Sequence, residues 1–324
     1  MRRCWRELLQ AALLGIVLPA LILGFGVAIR GKTPMEREPI VPGASETDVQ
    51  SKPVTMYLQL GQERITMEME DYLVGVVCAE MPASFELEAL KAQAVVARTY
   101  TLKAMTTGGK HGDGSLCADP ACCQAFMEEG DYLDRSGTAA DLEKIRCAVA
   151  ETEGLVLTYE GKLIEATYFS CSGGSTEDAA AVWGTDYPYL RAKDSPGEER
   201  ATYYQDRVFI SRRTLEQTLG ITLGSDPDGW IGYTTYTAGG GVNTMVIGGR
   251  EFSGTQLRKL LGLRSTAFTV EPKEDGVDMI TRGYGHRVGM SQYGADAMAL
   301  SGSDFRQILS YYYTGTALIS WADH

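Results

Sequence analysis

Position 82 is a proline, and it cuts one helical pattern from another. From Glu70 to Met81, the residues Tyr72, Leu73, Val76, Val77 and Glu80 recur at spacings of three and four, the period of a helix with one buried face. Proline has no backbone N–H and disfavours helical geometry in the residue before it, so the pattern ends or turns there. A second stripe follows, Leu87, Leu90, Ala94, Ala97 and Thr101, with Ser84 placed to cap its start. Two helices therefore meet at an elbow, and Glu80 stands at it among Val76, Val77, Cys78, Ala79, Met81 and Pro82.

A carboxyl in that position differs from its neighbours. Apolar surroundings disfavour its charged form, by up to about 3–5 pKa units at full burial, and a helix C-terminus adds partial negative charge beside it. Both effects favour a retained proton, which a general acid needs to protonate a leaving-group oxygen. The plainer account is an exposed residue at a helix end. Glu86 and Glu88 open the second helix, where the dipole favours negative charge and Glu88 reaches Lys91; a solvated helix start explains both. Lys91 and Arg98 are seven apart, hence nearly on one face, and offer a place for anionic or polar substrate groups or simply a solvated face.

Around the elbow the pattern is mixed. "VTMYLQLGQERITMEM" (54–69) and "LVLTYEGKLIEATYFS" (155–170) read as hairpins turning at Gly61-Gln62 and Glu160-Gly161. Residues 106–140 read as an irregular loop, and a helix is expected over 141–151. Within the loop lies His111-x5-Cys117-x5-Cys123, with Cys122 adjacent. Imidazole and thiolate suit zinc, with a disulfide or free thiols as the alternatives. "ISRRTLEQTLGI" and, 42 positions on, "FSGTQLRKLLGL" align as two capped helices that end at Gly220 and Gly262, a pseudo-repeat or a chance similarity. "TYFSCSGGSTE" (167–177) and "GYGHRVGMSQYG" (283–294) pair small residues with hydrogen-bonding ones: Ser170, Ser172, His286, Ser291 and Gln292. Neither a Gly-x-Ser-x-Gly elbow nor a His-Glu-x-x-His helix is present, which disfavours serine esterases and standard zinc proteases.

The N-terminus sets the expected compartment. Ala11 to Ile29 is 19 residues without a charge, preceded by Arg2, Arg3 and Arg6. At ~1.5 Å per residue this matches a bilayer core of ~30 Å, so an uncleaved transmembrane helix is expected in preference to a cleaved signal peptide. The net charge of −12 and the lack of a basic stripe exclude nucleic acid as a partner. The expected fold class is α+β: helices and β-hairpins in an extracytoplasmic catalytic domain, preceded by one transmembrane helix. The expected organisation is an anchor over 1–30, a tether over 31–53, a catalytic core with its metal loop over 54–206, an inserted α+β subdomain over 207–270, and a return to the core over 271–324.

"EDYLVGVVCAEMPASFELEALKAQAVVARTYTL", "YFSCSGGSTEDAAAVWGTDYPYL" and "GYGHRVGMSQYGADAMA" together resemble the stage II sporulation protein D family, also called the SpoIID/LytB domain. The resemblance implies a lytic transglycosylase that cleaves peptidoglycan glycan strands stripped of stem peptides during forespore engulfment. It makes Glu80, in the family's A-E-M-P motif, the catalytic residue. It associates Lys91 and Arg98 with activity and Tyr168, Ser170, Ser172, His286, Ser291 and Gln292 with substrate. The His-x5-Cys-x5-Cys loop is similar to the zinc-binding version among clostridial members, with His111, Cys117 and Cys123 as ligands. Stage II sporulation proteins P (an amidase) and M are the implied partners, and the implied location is the cell membrane, single-pass, facing the space between mother cell and forespore. Two departures stand out: Arg287 replaces the glycine of the usual G-H-G-V-G-M-S-Q, and Cys171 and Gly173 alter the usual S-x-S-N-G-G.

Overall fold

The first hairpin forms where its turn signal lies. Strands β1 (Thr55–Leu60) and β2 (Glu63–Glu68) pair antiparallel with Leu60 opposite Glu63, and Gly61 takes a φ of 61° between them. The computed structural model describes residues 54–323 apart from residue 136. From β2 the chain enters helix α1 (Met69–Glu80), which buries Tyr72, Leu73, Val76 and Val77. Its end falls where Pro82 requires it, with Met81 already extended. Helix α2 (Leu87–Thr107) starts later than Ser84 would place it, because Glu86 occupies the cap position, and it stops at left-handed Gly108.

Helix α2 carries the main core. At 21 residues it is about 31 Å long, and Ala89, Ala92, Ala94 and Ala97 alternate with buried Leu90, Val95 and Val96 around its circumference. A helix apolar on most sides is wrapped by other elements, and small residues let them approach. The loop after it holds a two-residue strand, β3 (Leu116–Cys117), parallel to β1, and helix α3 (Glu129–Arg135). Helix α4 (Ala139–Ala150) begins with a Thr138/Asp141 capping box, two residues ahead of its expected start. The second hairpin, β4 (Leu155–Tyr159) with β5 (Lys162–Leu163), turns at Glu160 and Gly161, both at positive φ. Short β6 (Tyr168–Phe169) and helix α5 (Ala179–Trp183) follow.

A second hydrophobic core gathers residues from Ile210 to Met279, including Trp230 and Leu257. It is built on β7 (Gln205–Ser211), α6 (Arg212–Leu219), β8 (Ile231–Tyr236), β9 (Val242–Ile247), β10 (Arg250–Ser253), α7 (Gly254–Leu261), β11 (Phe268–Lys273) and β12 (Gly276–Arg282). Sheet orders are β10-β9-β8 and β11-β12-β7. Ser211 and Ser253 cap α6 and α7, and Gly220 and Gly262 end them in the left-handed region, so the two similar segments share cap chemistry at both ends. The chain then returns to the first core: β13 (Met290–Ser291) pairs with β6, α8 (Gln292–Leu300) and α9 (Phe305–Tyr312) pack on α2, and β14 (Ala317–Ser320) pairs with β4. The described residues form one compact unit of mixed α+β structure with several small sheets.

The membrane expectations need correction. No helix among the described residues is long and apolar enough to cross a membrane, because the longest, α2, carries Lys91, Arg98 and Lys103 along its length. The run Ala11–Ile29 lies outside the described residues. The transmembrane helix, the membrane partner and the single-pass location therefore find no support in this structure.

Candidate functional site

Glu80 is the last residue of α1, and the turn at Pro82 leaves its half-buried side chain in a cleft of about 880 Å³. The walls come from Tyr100 on α2, from the loop at Pro120–Gln124, from Tyr168, Phe169 and Ser170, from Trp183, and from Tyr284 to His286. A second hollow of about 570 Å³, lined by Pro82, Phe85, Tyr132 and Tyr293, shares Glu80, Ser170 and Gln292 with the first. Glu80 thus stands between two hollows.

Three groups hold the carboxyl. The Ala125 N–H donates to Oε1 at 2.8 Å, and the side chains of Tyr168 and Gln292 also hydrogen-bond to it. Burial pushes the Glu80 pKa above the ordinary carboxylate value, and these three donors, which favour the charged form, only partly offset it. The Ala125 segment reaches Glu80 because Gly75 lies beneath it. A Cβ at that position would run into the Phe126 ring and the Met127 carbonyl, while the Met127 N–H bonds the Gly75 carbonyl at 3.1 Å. Gln124 fixes the same segment, donating to Tyr72 and Thr101 at 3.3 and 3.1 Å and accepting from Tyr168 at 3.2 Å.

A cluster of His and Cys side chains able to hold a metal ion adjoins the cleft. One ligand atom each from His111, Cys117, Cys122 and Cys123 lies within 4.8 Å of the others. His111 Nε2 is 3.5 Å from Cys123 Sγ and 3.8 Å from Cys122 Sγ, and the two sulfurs are 3.9 Å apart. These are close to the edges, about 3.5 and 3.8 Å, of a tetrahedron with metal bonds of ~2.0 Å to nitrogen and ~2.3 Å to sulfur. Burial raises the Cys117 thiol, but the Asp119 N–H and the His111, Cys122 and Cys123 side chains outweigh it and bring it down to about 7. Cys123 and Lys110 also line the cleft, so one loop serves both features.

Of the residues singled out in the sequence, Glu80, Tyr168, Ser170, His286 and Gln292 come together in the cleft. Burial and the nearby Arg258 and Lys110 cations lower the His286 pKa to about 4, so it is neutral at physiological pH, with Nδ1 accepting the Val288 N–H at 3.1 Å. Other residues lie outside the cleft lining. Lys91 bridges Glu88 and Glu151 at 2.6 and 2.7 Å. Arg98 is fully buried, forked onto Glu70 at 2.8 and 2.6 Å and capping the Val149 and Leu155 carbonyls. Ser172 is buried on Glu198, and Ser291 caps α8. The sequence reading missed Gly75, Ala125 and Gln124 and left Cys122 open; its adjacency to Cys123 was the available signal.

Fold and site define a mixed α+β protein with a shielded carboxyl lining two adjoining hollows and, beside it, a His/Cys loop able to hold a metal ion. The chain belongs to the stage II sporulation protein D family. It is 38% identical over 297 residues to Stage II sporulation protein D of Bacillus subtilis (strain 168), covering 90% of this chain and 86% of that one. It is 41% identical over 260 residues to Stage II sporulation protein D of Bacillus amyloliquefaciens, covering 79% and 75%. The Amidase enhancer of Bacillus subtilis (strain 168) is 31% identical over 308 residues, 77% of this chain but 40% of that protein. The family described as "Stage II sporulation protein" matches residues 61–159, which contain α1, α2 and the metal loop. These relatives bring no partner with them, so the expected pairing with stage II sporulation proteins P and M is dropped.

Proposed function

We propose that the groove holds a peptidoglycan glycan strand and that Glu80 cleaves it as a lytic transglycosylase during spore formation, in forespore engulfment. The observation that carries this reading is one carboxyl, held above its ordinary pKa, between two hollows, one with Tyr100, Phe169, Trp183 and Tyr284 in its wall and the other with Phe85, Tyr132 and Tyr293. Such walls offer apolar faces and polar edges to a neutral polymer. The other carboxylate of the larger hollow, Glu165, is engaged by Lys103 at 2.7 Å, which favours a one-carboxyl scheme.

Protonated Glu80 gives its proton to the oxygen joining N-acetylmuramic acid to N-acetylglucosamine. The C–O bond breaks, leaving an oxocarbenium-like centre. The carboxylate then takes the proton of the same sugar's C6 hydroxyl as that oxygen closes on the centre, giving a 1,6-anhydro end without water. Gln292, Tyr168 and the Ala125 N–H steady the anionic form between the two steps. His111, Cys117, Cys122 and Cys123 would suit zinc; bound by all four, an ion would be structural, with the four side chains holding the loop that presents Ala125. Mass spectrometry of glycan digests tests the scheme: 1,6-anhydro ends are expected, and reducing ends defeat it.

A second reading has its own support. The relative named Amidase enhancer points to an accessory role in which the groove binds glycan without cleaving it, and a three-ligand set of His111, Cys117 and Cys123, which would leave one position for water, admits a zinc-dependent wall hydrolase. Tight binding without turnover favours the first version. Stem-peptide release abolished by chelation favours the second.

A further inference from the structure

Arg287 has a φ of 65°, in the left-handed region that side chains rarely adopt. Its guanidinium, only 2% exposed, donates to the carbonyls of Ser172 (2.8 Å), Ser175 (2.5 Å) and Gly239 (2.8 Å) and to Glu177 Oε1 (3.3 Å). Glu177, itself fully buried, donates its N–H back to the Arg287 carbonyl at 2.6 Å. Its Oε1 also accepts from the Thr237 hydroxyl at 2.7 Å and the Gly241 N–H at 2.8 Å. The turn between β8 and β9 is shaped around this carboxylate: a Cβ on Gly239 or Gly241 would collide with the Glu177 carboxyl group.

One ion pair thus joins three segments: 172–177, the 237–241 turn of the second core, and the glycine loop 283–289. That loop carries Tyr284, Gly285 and His286, a wall of the larger hollow. Buried ion pairs are seldom the strongest available source of stability, and their best-attested use is to select one arrangement.

We infer that the Arg287–Glu177 pair is a positioning clamp, which holds the Tyr284–His286 wall of the cleft in place by tying it to the β8–β9 turn. Its effect on substrate rests on the cleft being the glycan site. The clamp itself does not.

Three variants test it: Glu177→Gln; the double change Arg287→Gly with Glu177→Gln, which strands no buried charge; and Gly241→Ala, which pushes the turn off the carboxylate while keeping both charged groups. Amide hydrogen exchange is followed in the free protein alongside turnover of purified glycan strands. Exchange in 237–241 and 283–289 is expected to quicken about ten-fold or more while α1 and α2 keep their protection. The KM for glycan is expected to rise about ten-fold with kcat within about two-fold, because the Glu80 chemistry is untouched. Unchanged exchange in both segments overturns the clamp, as does a loosening shared equally by α1 and α2, which marks a merely structural pair. Local loosening with an unaltered KM overturns its positioning role. A wild-type protein that does not turn over glycan defeats the functional reading, and exchange still decides on the clamp.

Discussion

The Ala125 N–H reaches Glu80 Oε1 across 2.8 Å, linking the segment that follows the His/Cys cluster to the last residue of α1. Neutral Glu80 accepts this bond through its carbonyl oxygen, and so does an amide in its place. Glu80→Gln should therefore keep the fold and lose the proton. Release of 1,6-anhydro ends is expected to fall by about 10²–10⁴-fold, the span associated with one general acid. Chromatography of glycan digests measures it, and near wild-type release would remove Glu80 from the chemistry.

The raised Glu80 pKa has a sign that melting curves can read. The folded state holds this proton more tightly than the unfolded chain, so the associated stability is complete below the unfolded value of about 4.3 and is lost as pH rises through the raised folded value. Glutamine does not titrate. The melting temperature of Glu80→Gln is expected to gain on wild type as pH climbs through that window and to show no such gain below it. In activity, Tyr168→Phe removes a bond that lowers the Glu80 pKa, so the alkaline limb of the rate profile should move to higher pH.

Cobalt(II) substitution counts the thiolates in the cluster. With Cys117, Cys122 and Cys123 all bound, Cys122→Ser should cut thiolate-to-cobalt absorption by about a third and weaken metal binding. Absorption equal to wild type would place Cys122 outside the coordination sphere. Chelation of the wild-type protein should lower its melting temperature and speed amide exchange at 122–127, with the core of α2 protected.

Arg98→Ala separates a structural cation from a substrate-binding one. Removing it leaves Glu70 without its forked partner and takes one donor each from the Leu155 and Val149 carbonyls, the latter still held by Thr152, a loss of about 3 kcal/mol, at the low end for a buried pair because Glu70 keeps some contact with water. Denaturant unfolding measures the loss. In the fraction that stays folded, kcat and KM for glycan should match wild type.

The elbow was legible because its signals are local: a period of three and four, a proline and a carboxyl with no polar neighbour all lie within a dozen residues of α1. Turn positions and the caps of α6 and α7 were legible for the same reason. Lys91 and Arg98 show the limit. A shared helix face can be counted from spacing, but Glu151, Glu70 and the carbonyls that engage them arrive from elsewhere in the fold, so burial and exposure look alike in one dimension. Gly75 was invisible for a related reason: its purpose is the passage of Phe126 across it, about fifty residues later, and no local pattern encodes that. Arg287 looked like a defect in a glycine motif until Glu177 and the turn at Gly239–Gly241 supplied its partners.

The loop that presents Ala125 also bears on the order in which a new chain matures. Helices α1 and α2 form from near-neighbour contacts on either side of one proline, and contacts of that kind assemble early. With an ion on His111, Cys117, Cys122 and Cys123, the four-donor loop would close only on its capture. A freshly made polypeptide would then complete its scaffold before the Ala125 amide is set against Glu80, and a supply of ions, separate from synthesis, would govern the last step of its maturation.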